Sequence, residues 1–236
     1  FRKIKKFFFR HEKCDAVVLK RGAVGSILYL SEDDDGCVIP AYKTNSVWPI
    51  GSGDIFTSCL GYYYYSGFDL NKSAMLASKA AAIYCSSYGT ANLRKGLEHF
   101  NFIKYSSNDM NKKKVYLAGP FFTLMQRWMI NESYQCLKNT GLEVFSPYHD
   151  VGLGDAANVV SKDIHGLESS DVVFAIVDGH DAGTMFEIGY AIAKCKKVIV
   201  FVQNESEGVL KMLRGTDCYI ENDFATAVYK VYWNAI

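Results

Sequence analysis

Net charge is almost absent from this chain, with 26 Lys and Arg against 25 Asp and Glu, so no overall field draws it to nucleic acid or to an anionic membrane. Small molecules are the expected partners. No apolar run approaches the ~20 residues that cross a bilayer, and no cleavable signal precedes the first expected strand, so a cytoplasmic location is expected. Seven cysteines, at 14, 37, 59, 85, 136, 195 and 218, form neither a C-x-x-C pair nor a Cys/His zinc spacing. Free, mostly buried thiols are expected, and no metal. Internal repeats and low-complexity tracts are missing too. What remains is a chain of 236 residues, 49% hydrophobic and 22% charged. That is enough apolar material for a core and enough length for more than one average domain. The basic, aromatic opening FRKIKKFFFR reads as part of a helix, with residue 1 as a truncation point.

Periodicity gives an α/β reading in two parts. From Cys14 to about Gly89 the pattern predicts strands Ala16 to Leu19 and Ser26 to Leu30 and an extended piece around Val38 to Tyr42. A Gly-rich turn at Gly51-Ser52-Gly53 and helices Asp54 to Ser66 and Leu70 to Ser86 follow. The polar stretch Tyr105 to Lys113 marks a boundary, giving domains 1–108 and 109–236. Beyond it the pattern restarts: strand Val115 to Leu117, helix Phe122 to Lys138 stopped by Gly141, strand Glu143 to Phe145, a Pro/Gly/Asp loop from Pro147 to Asp155, and helix Ala156 to Ser169. Strand Val172 to Val177, a helix from about Thr184, strand Val198 to Val202 and helix Phe224 to Trp233 complete it. Strands alternating with helices predict a parallel sheet covered on both faces.

The chemistry gathers around DVVFAIVDGHDAGTMFEIGYAIA, residues 171–193. A strand, an Asp/Gly turn and a helix place Asp181 and Glu187 at the carboxyl end of the strand, where open α/β sheets bind ligands. Placed in the first helical turn, Glu187 is expected to stay ionised with help from the helix start, worth roughly 0.3–1 kcal/mol, and so to serve as a nucleophile. Each residue also has a plainer reading. Asp163 suits a solvated helix face, Asp181 an N-terminal cap, and Phe121 and Phe122 ordinary core.

The segment resembles the nucleoside 2-deoxyribosyltransferase family over roughly residues 114–225, through VYLAGPFF at 115–122, K-D-I-x-x-L-x-x-S-D at 162–171 and DAGTMFEIGYA at 181–191. The resemblance implies a flavodoxin/Rossmann-like doubly wound sheet and Glu187 as the nucleophile that captures 2-deoxyribose. Asp163 handles the base and its proton, Asp181 orients nucleophile and sugar, and Tyr116 hydrogen-bonds near the nucleophile. Ala118, Gly119, Phe121, Phe122 and Gly183 are the implied substrate contacts. Nucleosides and free nucleobases are the implied partners, in a homo-oligomer whose sites are shared between subunits, with no cofactor. Relatives take an Asn from a neighbouring subunit; here Cys218 or Asn222 stands in that region. An N-glycosidase acting on nucleosides or their 5′-monophosphates, and a catalytically silent nucleotide sensor, remain alternatives.

Residues 14–95 resemble the carboxyl-terminal half of ribokinase-like (PfkB-type) sugar and nucleoside kinases, through VVLKRGAVG at 17–25 and GSGD at 51–54. That resemblance implies Asp54 as a base and the amides of Gly51, Ser52 and Gly53 as an anion cradle. A complete kinase of this type would use ATP and Mg. The half that should precede residue 14 is absent here, and Trp48-Pro49-Ile50 replaces the usual Asp-Thr-Thr.

Overall fold

The computed structural model describes residues 2–88, 92–105, 113–152 and 154–235. It divides into two units, Phe1–Ser106 and Ser107–Ile236. Most of the stretch expected to separate the domains, residues 106–112, lies outside the described residues, as does Gly89.

The first unit runs α1 (Arg2–Arg10), β1 (Val17–Lys20), a 3-10 turn (Gly22–Val24), β2 (Ser26–Tyr29), β3 (Cys37–Ile39), β4 (Tyr42–Lys43), α2 (Ser52–Tyr65), α3 (Leu70–Ser86), α4 (Leu93–His99) and β5 (Ile103–Lys104). β1, β2 and β3 form an antiparallel sheet, and β4 pairs with β5. The acidic turn between β2 and β3 closes on Asp34, whose carboxylate accepts the Leu30 and Gly36 amides, each at 2.8 Å. Small residues on α3, Ala74 and Ala77, let that helix pack tightly on Leu28, Ile39 and Phe56.

The second unit runs β6 (Lys114–Ala118), α5 (Leu124–Asn139), β7 (Glu143–Phe145), a π-helical turn (Pro147–Val151), α6 (Ala156–Glu168), β8 (Val172–Ile176), α7 (Ala182–Ala193), β9 (Lys197–Phe201), α8 (Glu207–Arg214), β10 (Tyr219–Glu221) and α9 (Phe224–Asn234). All strand pairings are parallel, in the order β10-β9-β8-β6-β7. Counted within the unit this is the 2-1-3-4-5 order of doubly wound, flavodoxin-like sheets. Alternation along the strands feeds both faces. Tyr116, Ala118, Val173, Ala175, Val198 and Val200 pack with Leu167 of α6, Ile188 and Ala191 of α7 and Leu210 and Leu213 of α8. On the other face Phe224 of α9 meets the rings of Phe174 and Phe201. Chain order reverses between β6 and β8, and the crevice outside their carboxyl ends is where this topology opens a ligand site.

Two expectations are corrected here. The thiols are free, but none is fully buried: Cys37 and Cys195 are exposed and the other five half-buried. None of them lies on the buried strands β6, β8 or β9, where full burial is found. The helix after β8 starts at Ala182 rather than near Thr184, which moves Glu187 out of its first turn.

Candidate active site

Tyr116 is the middle residue of β6 and fully buried. Its hydroxyl donates to Glu187 Oε1 at 2.6 Å, joining the sheet to α7. The Tyr116 ring stacks on Phe145 of β7, with centroids 5.6 Å apart and planes 18° from parallel. Behind Phe145 stands Gly166 of α6, where a Cβ would come within 2.4 Å of the Phe145 ring. Glycine there keeps the stack, and with it the aim of the Tyr116 hydroxyl.

Asp181 caps α7: its Oδ2 accepts the Thr184 amide at 2.7 Å and the Thr184 hydroxyl at 2.8 Å. The plainer reading of Asp181 as a cap therefore holds, while its carboxylate is still close enough to raise the pKa of Glu187. At Gly183 a Cβ would stand 3.1 Å from that same Oδ2, so the small residue leaves the carboxylate its room. The turn ahead of the cap is tied down from both sides. Asp178 Oδ1 accepts the Gln203 and Asn204 amides at 2.8 Å each, and Glu205 Oε1 accepts the Gly179 amide at 2.8 Å.

Asp163 lies on α6, half-buried, with Oδ1 sequestered from solvent and without a hydrogen-bond partner. Burial pushes its carboxyl above the ordinary carboxylate range. A buried polar oxygen left unpaired costs free energy unless something else satisfies it, which marks this atom as one that awaits a proton or a ligand.

Glu187 behaves differently from the sequence expectation. In the second turn of α7 it gains little from the helix start, because that effect fades within the first turn. Burial raises its pKa to about 7; the Tyr116 hydrogen bond pulls the other way, and the Asp163 and Asp181 carboxylates add to the rise. Tyr116 is itself held firmly protonated, first by burial and then by Glu187. Glu187 therefore changes protonation near neutral pH, beside a second carboxyl, Asp163, whose pKa is also raised.

The loop after β6 faces the same crevice. Gly119 packs closely, since a Cβ would meet Ile130 at 2.8 Å and Ile176 at 3.1 Å. Phe121 and Phe122 stack at 5.4 Å, Phe122 is well exposed, and Phe121 also meets Tyr148 of the π-helical turn at 5.4 Å. Cys218 packs half-buried against the core beside α8, and Asn222 is exposed beyond β10. Asn222 lines a separate cleft of about 350 Å³ with Gln203, Glu205, Glu207 and Arg214. Among the described residues no group of three or more His, Cys, Asp or Glu side chains is placed to hold a metal ion.

These details converge with the comparisons. Residues 115–222 match the family model for nucleoside 2-deoxyribosyltransferase. A 2-deoxyribosyltransferase structure from Bacillus psychrosaccharolyticus is 30% identical, covering 48% of this chain and 95% of that one, with a TM-score of 0.40. Residues 115–222 belong to the nucleoside 2-deoxyribosyltransferase family. An uncharacterized protein of Ureaplasma parvum is 35% identical over 104 residues, covering 38% of this chain and 66% of that protein. Residues 3–95 match the pfkB family carbohydrate kinase model. A deoxyribokinase of Salmonella typhi is 28% identical over 85 residues, 36% of this chain and 27% of that enzyme. The chain thus spans about two thirds of the first relative and about a quarter of the second.

In the pfkB-like unit, Gly51 adopts a left-handed conformation (φ 82°) ahead of α2 and Asp54 is exposed in its first turn. The Ser52 and Asp54 amides donate to the carbonyls of Pro49 and Gly51, each at 3.1 Å. One amide of the expected anion cradle, that of Ser52, and the Asp54 amide next to it are therefore engaged by the turn itself. Lys20 Nζ donates to the Gly53 carbonyl at 3.1 Å.

Proposed function

We propose that the second unit transfers 2-deoxyribose between nucleobases through a covalent deoxyribosyl-Glu187 intermediate. The observation that carries this reading is the Tyr116–Glu187 hydrogen bond at 2.6 Å, with the unpaired Oδ1 of Asp163 in the same crevice. Cleaving an N-glycosidic bond develops positive charge on the sugar and negative charge on the departing base. Glu187, ionised, forms a bond to the anomeric carbon as the bond from that carbon to the base nitrogen breaks. Asp163, with its raised pKa, gives its proton to the leaving base. The incoming base then attacks the same carbon, its proton passes to Asp163, and Glu187 leaves as carboxylate. Two displacements retain configuration and give ping-pong kinetics.

Tyr116 fixes the attacking oxygen and steadies the negative form of Glu187. Asp181 completes an acidic site that favours a neutral nucleoside over a 5′-phosphate, since like charges at close range repel. The flat surfaces of Phe121 and Phe122 suit a base. The steps as written need no metal. We place the enzyme in nucleoside interconversion, with nucleosides and free bases as its partners and a homo-oligomer as its working form. The test is incubation with 2′-deoxyinosine with and without adenine, followed by chromatography. Deoxyadenosine formed only when adenine is present supports transfer; equal release of hypoxanthine and free deoxyribose in both tubes would replace transfer with hydrolysis.

A further inference from the structure

Gln126 occupies a position that helix capping alone does not explain. It is the third residue of α5, and with Thr123 it forms a reciprocal cap: the Gln126 amide donates to Thr123 Oγ1 at 3.2 Å, and Gln126 Oε1 accepts the Thr123 amide at 2.9 Å. The same Oε1 also accepts the Phe122 amide at 3.0 Å. The other end of the side chain looks elsewhere. A Cβ on Gly179 would stand 3.0 Å from Gln126 Nε2, so the amide nitrogen packs against the backbone of the turn that ends in Asp181. Gly179 has φ 97° and is tied on its far side to Glu205.

From this geometry we infer that Gln126 is a positioning residue that clamps two loops of the site to each other. Its oxygen holds the loop bearing Phe121 and Phe122, and its nitrogen braces the turn leading to Asp181. A glutamate serves the capping role equally well and gains from the helix start. Glutamine differs in presenting a neutral amide nitrogen to Gly179, where glutamate would present a charged oxygen beside a turn already flanked by the Glu205 carboxylate, and that is where the difference acts. Arg127 supports the arrangement, donating to the Phe122 carbonyl at 3.1 Å. The clamp stands on the structure alone; its effect on base binding rests on the transfer reading.

The discriminating variant is Gln126→Glu, which keeps the cap and turns a carboxylate oxygen toward Gly179, beside Gln126→Ala, which removes both the cap bond and the contact. Amide hydrogen exchange of the intact chain reads the clamp directly. In Gln126→Glu the Phe122 and Thr123 amides stay protected while Gly179, His180 and Asp181 exchange faster; in Gln126→Ala both segments exchange faster. In base exchange the KM for adenine rises about fivefold in Gln126→Glu, the scale of one like-charge contact in water, with kcat within about twofold of the parent. Unchanged exchange at Gly179–Asp181 in both variants would reduce Gln126 to a helix cap and overturn the inference. If the parent protein shows no base exchange, the transfer reading fails while the hydrogen-exchange result still decides the clamp.

Discussion

Replacing Glu187 with Gln separates the chemistry of this carboxyl from the free energy of burying it. Its pKa is raised to about 7 from an ordinary 4.5, chiefly by burial. A group whose folded pKa lies above its unfolded one favours the fold below the unfolded value, and that contribution is lost as pH rises through the folded value. The window here is pH 4.5 to 7. A difference of about 2.5 pH units corresponds to about 3 kcal/mol, almost all of it lost by pH 8 and only about 1 kcal/mol of it lost at pH 5. Glu187→Gln removes the titration while its amide oxygen can still accept from Tyr116. The variant is therefore predicted to gain about 2–3 kcal/mol over the parent between pH 5 and pH 8, although it loses base exchange. Urea unfolding of both proteins at pH 5, 6, 7 and 8 measures this. A stability difference that does not change with pH would refute the claim that Glu187 is buried at the expense of its ionisation.

Tyr116→Phe keeps the stack on Phe145 but removes the donor to Glu187, and a hydrogen bond to a charged group is worth about 1.5–3 kcal/mol, so kcat falls roughly 10- to 100-fold. Because that bond lowers the pKa of Glu187, the acid limb of the kcat/KM profile moves to higher pH in this variant, which a pH series reads directly. Asp163→Asn abolishes base exchange on 2′-deoxyinosine, whose base must be protonated to leave. It largely spares release of 7-methylguanine from 7-methyl-2′-deoxyguanosine, whose base is already a cation; equal losses on the two substrates would deny Asp163 the proton.

Two elements were legible to their bounds from the residues. Leu70–Ser86 and Glu143–Phe145 coincide with α3 and β7, because alanines at helical spacing in the first and a short β-type run between turn signals in the second leave little choice. The last sheet strand and the helix before it were not read. Tyr219–Glu221 is three residues long, and Glu207–Arg214 carries only Leu210 and Leu213 into the core, although Ser206 and Gly215 bracket that helix. The π-helical turn at Pro147–Val151 has no sequence period; it depends on Asp150 accepting the Ser146 amide at 2.8 Å.

The expected site residues Tyr116, Asp163, Asp181 and Glu187 lie near one another in the second unit, but the protonation expected of Glu187 did not follow. Starting the helix at Thr184 put Glu187 in the first turn; with Asp181 as cap it falls in the second, where burial outweighs the helix start. Gln126 was invisible because a capping Gln looks like any other. Only the position of Gly179, brought near by the β6–β8 switch point, gives its second amide group something to face.

The central claim is that sugar passes through Glu187. Incubating the protein with 2′-deoxyinosine in the absence of any acceptor base, quenching in acid and mapping peptides by mass spectrometry tests it. The account predicts one 2-deoxyribosyl group on the peptide that carries Glu187, lost when adenine is added before quenching and absent from Glu187→Gln. Base exchange that proceeds at full rate with no adduct on that peptide, or an adduct that survives in Glu187→Gln, would contradict it.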